Sequence, residues 1–186
     1  MNLIKIGLRI REIRKEKNLS LQNIADRSNL SKSLLSKVEN FRTIPSLPVL
    51  SRIADVLKVD IAEIVKGINE EKKHPYIVVR KAERERLERE SAKGFVYESL
   101  ITRNVTSSLF ESFVLTLKKG ARREPVSTDG DEFLLMLKGT ISFHYGQEQI
   151  VLKGGDAIFF NGRIPHVPEN IGTDEASFLA VYLLNK

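Results

Sequence analysis

Between residues 3 and 65, apolar residues recur at the three- and four-residue intervals of a helix. They come in short bursts: Ile6, Ile10 and Ile13; Ile24 and Ala25; Leu35 and Val38; Leu50, Ile53, Ala54 and Leu57; Ile61 and Ile64. The pattern predicts five short helices. Side chains able to accept from free backbone N–H groups stand at four of the starts: Ser20, Ser31, Ser46, and Asp60 with Glu63 three residues on, the spacing of a capping box. Pro48 falls early in the fourth helix, where a missing N–H costs little.

The period changes after residue 75. Runs rich in β-branched and aromatic residues with partial alternation occupy 76–79, 95–101, 109–117, 133–137, 141–145, 149–152, 157–160 and 177–184, and most are separated by glycine-containing turn signals. Many short strands at this spacing predict an antiparallel sandwich or barrel. Residues 67–75 (GINEEKKHP) are polar and aperiodic and end in proline, which reads as a linker. Residues 80–90 (RKAERERLERE) alternate in charge and leave two readings open, an extended edge or a solvated helix, with the extended one preferred. The chain is therefore expected to be an α + β two-domain protein: a helical head over 1–66, a linker over 67–75 and a β-barrel over 76–186.

Composition narrows the function classes. The 186 residues include no cysteine, which removes disulfide frameworks and Cys-ligated zinc and suits a reducing, cytoplasmic setting. The clean apolar run at 133–137 is far short of the roughly 20 residues of a membrane helix, so no span is expected. Net charge is +6, and its distribution is uneven: residues 1–66 hold 13 Lys and Arg against 7 Asp and Glu, whereas residues 76–186 hold 15 of each. The excess sits wholly in the head, which points that part toward a polyanion.

Within the head, residues 19–40 (LSLQNIADRSNLSKSLLSKVEN) have the layout of two helices joined by a tight turn. Ser20 caps the first, Ala25 is the small residue facing its partner, Asn29 tolerates positive φ in the turn, and Ser31 caps the second. With Arg11, Arg14, Leu30, Glu39, Asn40, Pro45 and Leu50 around it, the segment resembles the phage-repressor (XRE) helix-turn-helix family over residues 6–65. The resemblance implies that the helix at 32–39 enters the major groove of double-stranded DNA. Lys32, Ser33, Ser36 and Lys37 then become candidates for base edges, and Asn40 and Arg42 for phosphates. Two departures are visible: Leu21 replaces the family's usual glutamine, and Asn29 its usual turn glycine.

Residues 120–139 and 155–170 resemble the two motifs of the cupin superfamily. Gly120, Glu132 and Gly139 fall in register in the first, and Gly155, His166 and Asn170 in the second. Val126 and Thr128 occupy the two positions where the family carries histidines, so only Glu132 and His166 remain of the metal-binding set. Two donors are fewer than a firm divalent site uses. No metal or other cofactor is expected, with Glu132 and His166 as its weak candidates. Val126, Thr128, Glu132 and His166 are instead expected to line a ligand site. His144 is expected on the surface, and no nucleophile elbow, phosphate loop or dinucleotide fingerprint appears.

Together the two resemblances imply an XRE–cupin regulator: a sequence-specific DNA-binding transcription factor, expected to repress, whose barrel senses a small molecule and signals through the linker. A homodimer on a palindromic operator follows from half-sites about 34 Å apart. Two alternatives remain at this stage: a metal-dependent cupin enzyme tethered to DNA, and a ligand-free dimeric repressor.

Overall fold

The computed structural model describes residues 3–66, 76–87, 92–105 and 108–185, and the chain divides into two compact units, Met1–Lys73 and His74–Lys186. Residues 67–75, read above as the linker, lie outside the described residues.

The first unit holds α1 (Leu3–Glu16), α2 (Leu21–Ser28), α3 (Lys32–Glu39), α4 (Leu47–Leu57) and α5 (Ile61–Val65). The apolar bursts bury as one core, with Ile6, Ile10, Ile13, Ile24, Leu35, Ile53, Leu57 and Ile64 nearly inaccessible. Caps account for most of the starts. Ser20 accepts from the Asn23 backbone in a reciprocal capping box, Ser31 from the Leu34 backbone, and Asp60 from the Ala62 backbone. Ser46 has the extended backbone of a cap but makes no side-chain bond, so α4 starts without the hydrogen bond expected there. Asn29 closes α2 in the left-handed region at φ 54°, which turns the chain toward α3.

Charged groups tie α1 to the end of α3. Arg14 grips Glu39 with two parallel bonds, Nε to Oε1 at 2.7 Å and Nη2 to Oε2 at 2.8 Å, and donates through Nη1 to the Leu19 carbonyl. Arg11 donates to the Glu39 carbonyl and, at 2.8 Å, to Asn40 Oδ1. All four residues are buried, Glu39 to 1% exposure. The same junction needs a glycine: a Cβ on Gly7 would lie 2.6 Å from both the Phe41 ring and the Val38 carbonyl.

The second unit is a two-sheet antiparallel barrel. Strands β1 (Arg86–Leu87), β2 (Lys93–Val105), β3 (Ser108–Arg122), β9 (Ala176–Asn185), β4 (Gly130–Lys138) and β7 (Ala157–Asn161) form one sheet in the order β1-β2-β3-β9-β4-β7. Strands β6 (Glu148–Lys153), β5 (Thr140–Tyr145) and β8 (His166–Asn170) form the other, in the order β6-β5-β8. Period-two alternation gives each strand of the larger sheet two faces. Phe113, Leu115, Leu134, Phe178, Ala180 and Tyr182 point inward and are buried. The outer face carries Phe110 beside Leu183, then Val181, Phe133 and Phe159 in one row, then Val114, Leu179 and Leu135 in the next. This outer face is apolar yet open: Phe159 is 64% exposed and Leu183 36%.

Three stretches depart from the strand pattern. Residues 76–79 form no strand, although they are β-branched and aromatic, because no neighbouring strand among the described residues offers them a ladder. Residues 80–90 divide: a single 3-10 turn at Lys81–Glu83, then β1 paired to the edge of β2, with 88–90 outside the described residues. The strand β8 was not anticipated. It carries Pro168, which an edge strand tolerates, and among the strands of the described residues β8 pairs with β5 alone, apart from a single bridge between His166 and Val126.

Removing one partner from a buried charge cluster strands the others. Glu39→Ala leaves two guanidinium groups buried, and urea unfolding of the helical unit should register a loss of about 3–5 kcal/mol. A loss below about 1 kcal/mol, the range of an exposed pair such as Arg9–Glu63, would contradict the structural role given to the cluster.

Candidate functional site

The turn between α2 and α3 leaves the start of α3 facing solvent. Lys32 and Ser33 are exposed, and Ser36 and Lys37 are half-buried along the same helix. These four share one helix whose other side, Leu35, Val38 and Glu39, is fixed in the core. Asn40 and Arg42 lie elsewhere than expected. Both are buried, to 3% and 6% exposure, and the Asn40 amide is consumed internally: Nδ2 donates to the Ser36 carbonyl at 2.8 Å while Oδ1 accepts from Arg11. Their surface placement is corrected on that ground. Residue type and position beyond a helix end cannot reveal that a neighbouring helix claims the amide.

In the barrel the motif residues do converge. Val126 and His166 exchange two backbone hydrogen bonds at 2.9 Å, which docks the β3–β4 connection against the start of β8. Thr128 binds the Gly162 carbonyl through its backbone N–H at 2.7 Å. Glu132 points inward from β4, and its Oε1 lies 3.3 Å from His166 Nε2, both side chains being almost wholly buried. His166 Nδ1 lies 2.9 Å from the Ile164 carbonyl. A carbonyl only accepts, so Nδ1 carries the proton and Nε2 is turned to the carboxylate. Phe143 and Phe160 enclose the imidazole, with ring centroids at 5.9 and 5.0 Å.

Around this pair Val126 offers no donor atom, the buried Thr128 hydroxyl is neutral and makes no hydrogen bond, and among the described residues no group of three His, Cys, Asp or Glu side chains is placed to hold an ion. The void lined by Glu132, His166, Arg123, Phe143 and Tyr182 measures about 10 Å³, roughly what one water requires. Gly162 packs tightly nearby: a Cβ there would sit 2.8 Å from the Gly130 carbonyl, 3.0 Å from Thr128 and 3.1 Å from Glu132.

Open space lies at the rim instead. A cleft of about 690 Å³ runs between the end of β3 and the edge of β8, with Ala121, Arg123, Val167, Pro168, His144 and Glu169 among its walls. Arg123 and Pro168 belong to both cleft and inner void. His144 is 39% exposed and reaches Glu169 at 3.3 Å, which agrees with the surface position expected for it.

One buried acid escaped the sequence reading. Glu111 on β3 is fully buried, in register with Tyr182 on β9, which is in turn in register with Glu132 on β4. The signal was present: Glu111 falls in phase with the inward apolar series Leu109, Phe113, Leu115 and Leu117.

The two units fall into recognisable classes, a helix-turn-helix head and a cupin barrel. Residues 10–64 match the helix-turn-helix family and residues 113–182 the cupin domain, so the chain joins an XRE-type helix-turn-helix domain to a cupin domain. Its head is similar to the HTH-type transcriptional regulator SinR of Bacillus subtilis, 42% identical over 57 residues, 30% of this chain and 51% of that protein. The chain thus spans about half the length of a relative that shares only the head. Similarity over both units is lower: the HTH-type transcriptional regulator PuuR of Escherichia coli is 22% identical over 160 residues, covering 86% of this chain and 84% of that protein. Among solved structures, an HTH_3 family transcriptional regulator from Vibrio cholerae superposes with a TM-score of 0.53 at 20% identity, over 99% of this chain and 97% of that one. Hydroxypropylphosphonic acid epoxidase from S. wedmorenis superposes at 0.50 and 20% identity, over 96% and 97%. At such identity these two structures speak for the fold alone.

Proposed function

We propose that the protein is a DNA-binding transcriptional regulator whose cupin domain senses a small molecule and forms a homodimer. The observation that carries the DNA-binding part is α3: a capped helix following a left-handed Asn29 turn, anchored by buried charges at its far end, with Lys32, Ser33, Ser36 and Lys37 left on its open side. Lysines there suit guanine edges and phosphates, and the serines are short enough to let the helix approach the groove. The charge excess confined to residues 1–66 supports the same reading. Regulators similar in the head, SinR and PuuR among them, add to it. Such a regulator works in the cytoplasm, where the DNA is, and the described helices include none long and apolar enough to cross a membrane.

A second copy is the partner that the barrel fits. The rows of Phe110, Leu183, Val181, Phe133, Phe159, Val114, Leu179 and Leu135 face outward on one sheet, and Phe159 and Leu183 are the exposed ones whose burial a second copy would gain from. Two heads on such a dimer would read a palindromic operator. We read the barrel as non-enzymatic and free of a resident metal, because two donors and a void the size of a water leave no place for an ion with open coordination and a substrate. The fold shared with an epoxidase keeps a DNA-tethered cupin enzyme as the second reading.

Three outcomes check these assignments. Replacing both Lys32 and Lys37 by Ala should weaken binding to operator DNA and, by fluorescence anisotropy over a salt series, flatten the slope of log K against log salt by about 0.9 for each phosphate that the lysines neutralise; an unchanged slope would count against α3 as the DNA helix. Phe159→Asp with Leu183→Arg should turn a dimer into a monomer in sedimentation equilibrium while circular dichroism keeps the barrel signal, and a dimer that persists would move the interface elsewhere. Treatment with EDTA should leave the melting temperature of the full chain unchanged, and a fall on chelation, reversed by iron, nickel or zinc, would favour the enzyme reading.

A further inference from the structure

An open sheet edge is a template for another strand, and natural proteins guard such edges with charge, proline or short length. The two sheets end on β1 and β7 in one and on β6 and β8 in the other. β1 has two residues and the charge of Arg86, β6 carries exposed Glu148 and Lys153, and β8 carries Pro168. β7 (AIFFN) has no such guard. Even Asp156, just before it, spends its carboxylate on the Lys153 backbone N–H at 2.8 Å. The direction of its free backbone groups follows from the ladder with β4. Gly162 donates to the Gly130 carbonyl and Met136 to the Asp156 carbonyl, both at 2.9 Å, so in this register Phe160 and Ile158 are the residues bonded to β4. Ala157, Phe159 and Asn161 therefore turn their N–H and C=O groups away from β4. The Asn161 carbonyl is taken by the Tyr145 hydroxyl and the Ile164 N–H; Ala157 and Phe159, both exposed, have no partner strand on that side among the described residues.

From this geometry we infer that residues 76–79 of a second copy of the chain add to the free edge of β7, each copy lending its strand to the other. The inference rests on the homodimer reading and deepens it by naming the segment that crosses and the edge that receives it. Residues 76–79 (YIVV) are aromatic and β-branched, the types that strands favour, and carry no charge. They form no ladder within their own unit, and Tyr76, Ile77 and Val78 are exposed. A strand beside β7 would place alternate side chains next to outward Phe159 and inward Phe160, and a segment apolar at every position suits both faces. The donor and acceptor cannot readily come from one chain. Residues 76–79 lead through the 3-10 turn at Lys81–Glu83 into β1, at the opposite edge of the large sheet, about 24 Å from β7 along that sheet. From Val79 to Arg86 the chain spans at most about 20 Å. Reciprocal exchange between two copies is the closed, two-fold form of such a contact.

The chain has no cysteine, so an introduced pair reports without background. In the full chain, Val78→Cys with Phe159→Cys should give a covalent dimer on mild oxidation, read on a non-reducing gel, at a yield well above that of either single variant. A disulfide closed within one chain, or a yield no greater than that of the single variants, would overturn the exchange. Val78→Pro with Val79→Pro removes an N–H from each side of the segment and touches no ladder of the barrel, and should weaken the dimer roughly tenfold or more in sedimentation equilibrium. On the unaltered chain, hydrogen exchange followed by NMR should slow at the Ala157 and Phe159 amides as dimer forms with rising concentration, which decides the matter even if a variant fails to fold. A dimer whose Ala157 and Phe159 amides stay unprotected overturns the exchange and leaves the homodimer reading standing, whereas a chain that is monomeric at every concentration overturns both.

Discussion

The head depends on one buried ionic junction, where Arg14 and Arg11 of α1 meet Glu39 and Asn40 at the end of α3. A buried ion pair is weak evidence of net stability, because desolvating the charges offsets much of their attraction. Its effect here is directional. Two parallel bonds from a planar guanidinium fix both the distance and the rotation of the carboxylate, and the carboxylate sits on α3. Apolar packing of Leu35 and Val38 would permit small rolls of that helix; the fork does not. Whatever α3 presents to a partner is therefore set from behind, by residues that never touch it. The exposed Arg9–Glu63 contact between α1 and α5 has the same chemistry, but water competes for both groups and little orientation follows.

The barrel separates two kinds of surface that a sequence motif alone would merge. Its interior is nearly solid around Glu132 and His166, closed by Phe143, Phe160 and the backbone of Gly162. The cupin spacing survives with different residues at two of its positions: Val126 pairs with the His166 backbone, and Thr128 binds the Gly162 carbonyl through its backbone N–H. Spacing persists because those positions hold the loops together whether or not they ligate. The usable volume has shifted to the rim, where the end of β3 passes over the edge of β8.

The helices were readable because each signal was local. An apolar residue every third or fourth position, a serine before it and an Asn29 able to take positive φ are facts of a few neighbouring residues. Where the reading failed, the deciding partner was distant. Asn40 looks like a surface polar group until Arg11 of α1, 29 positions back, is placed beside it, and Arg42 is buried with it. Residues 76–79 have strand composition but no ladder among the described residues, and β8 has a ladder despite Pro168 because its proline lies on a sheet edge. Glu132 and His166 were found because a family spacing marked them; Glu111 had no such mark, although it falls in phase with its inward apolar neighbours.

Strand β3, Ser108–Arg122, serves several surfaces by turns. Glu111, Phe113 and Leu115 go to the interior, Phe110 and Val114 to the outer face, and the chain that continues it delivers Arg123 to the rim. Because side chains alternate with a period of two, inserting or deleting one residue within the strand would exchange the inner and outer sets at a stroke and carry the rim residues to the wrong side. A change of length in this strand therefore disturbs the core, the outer face and the rim together, whereas a point substitution acts on one of them.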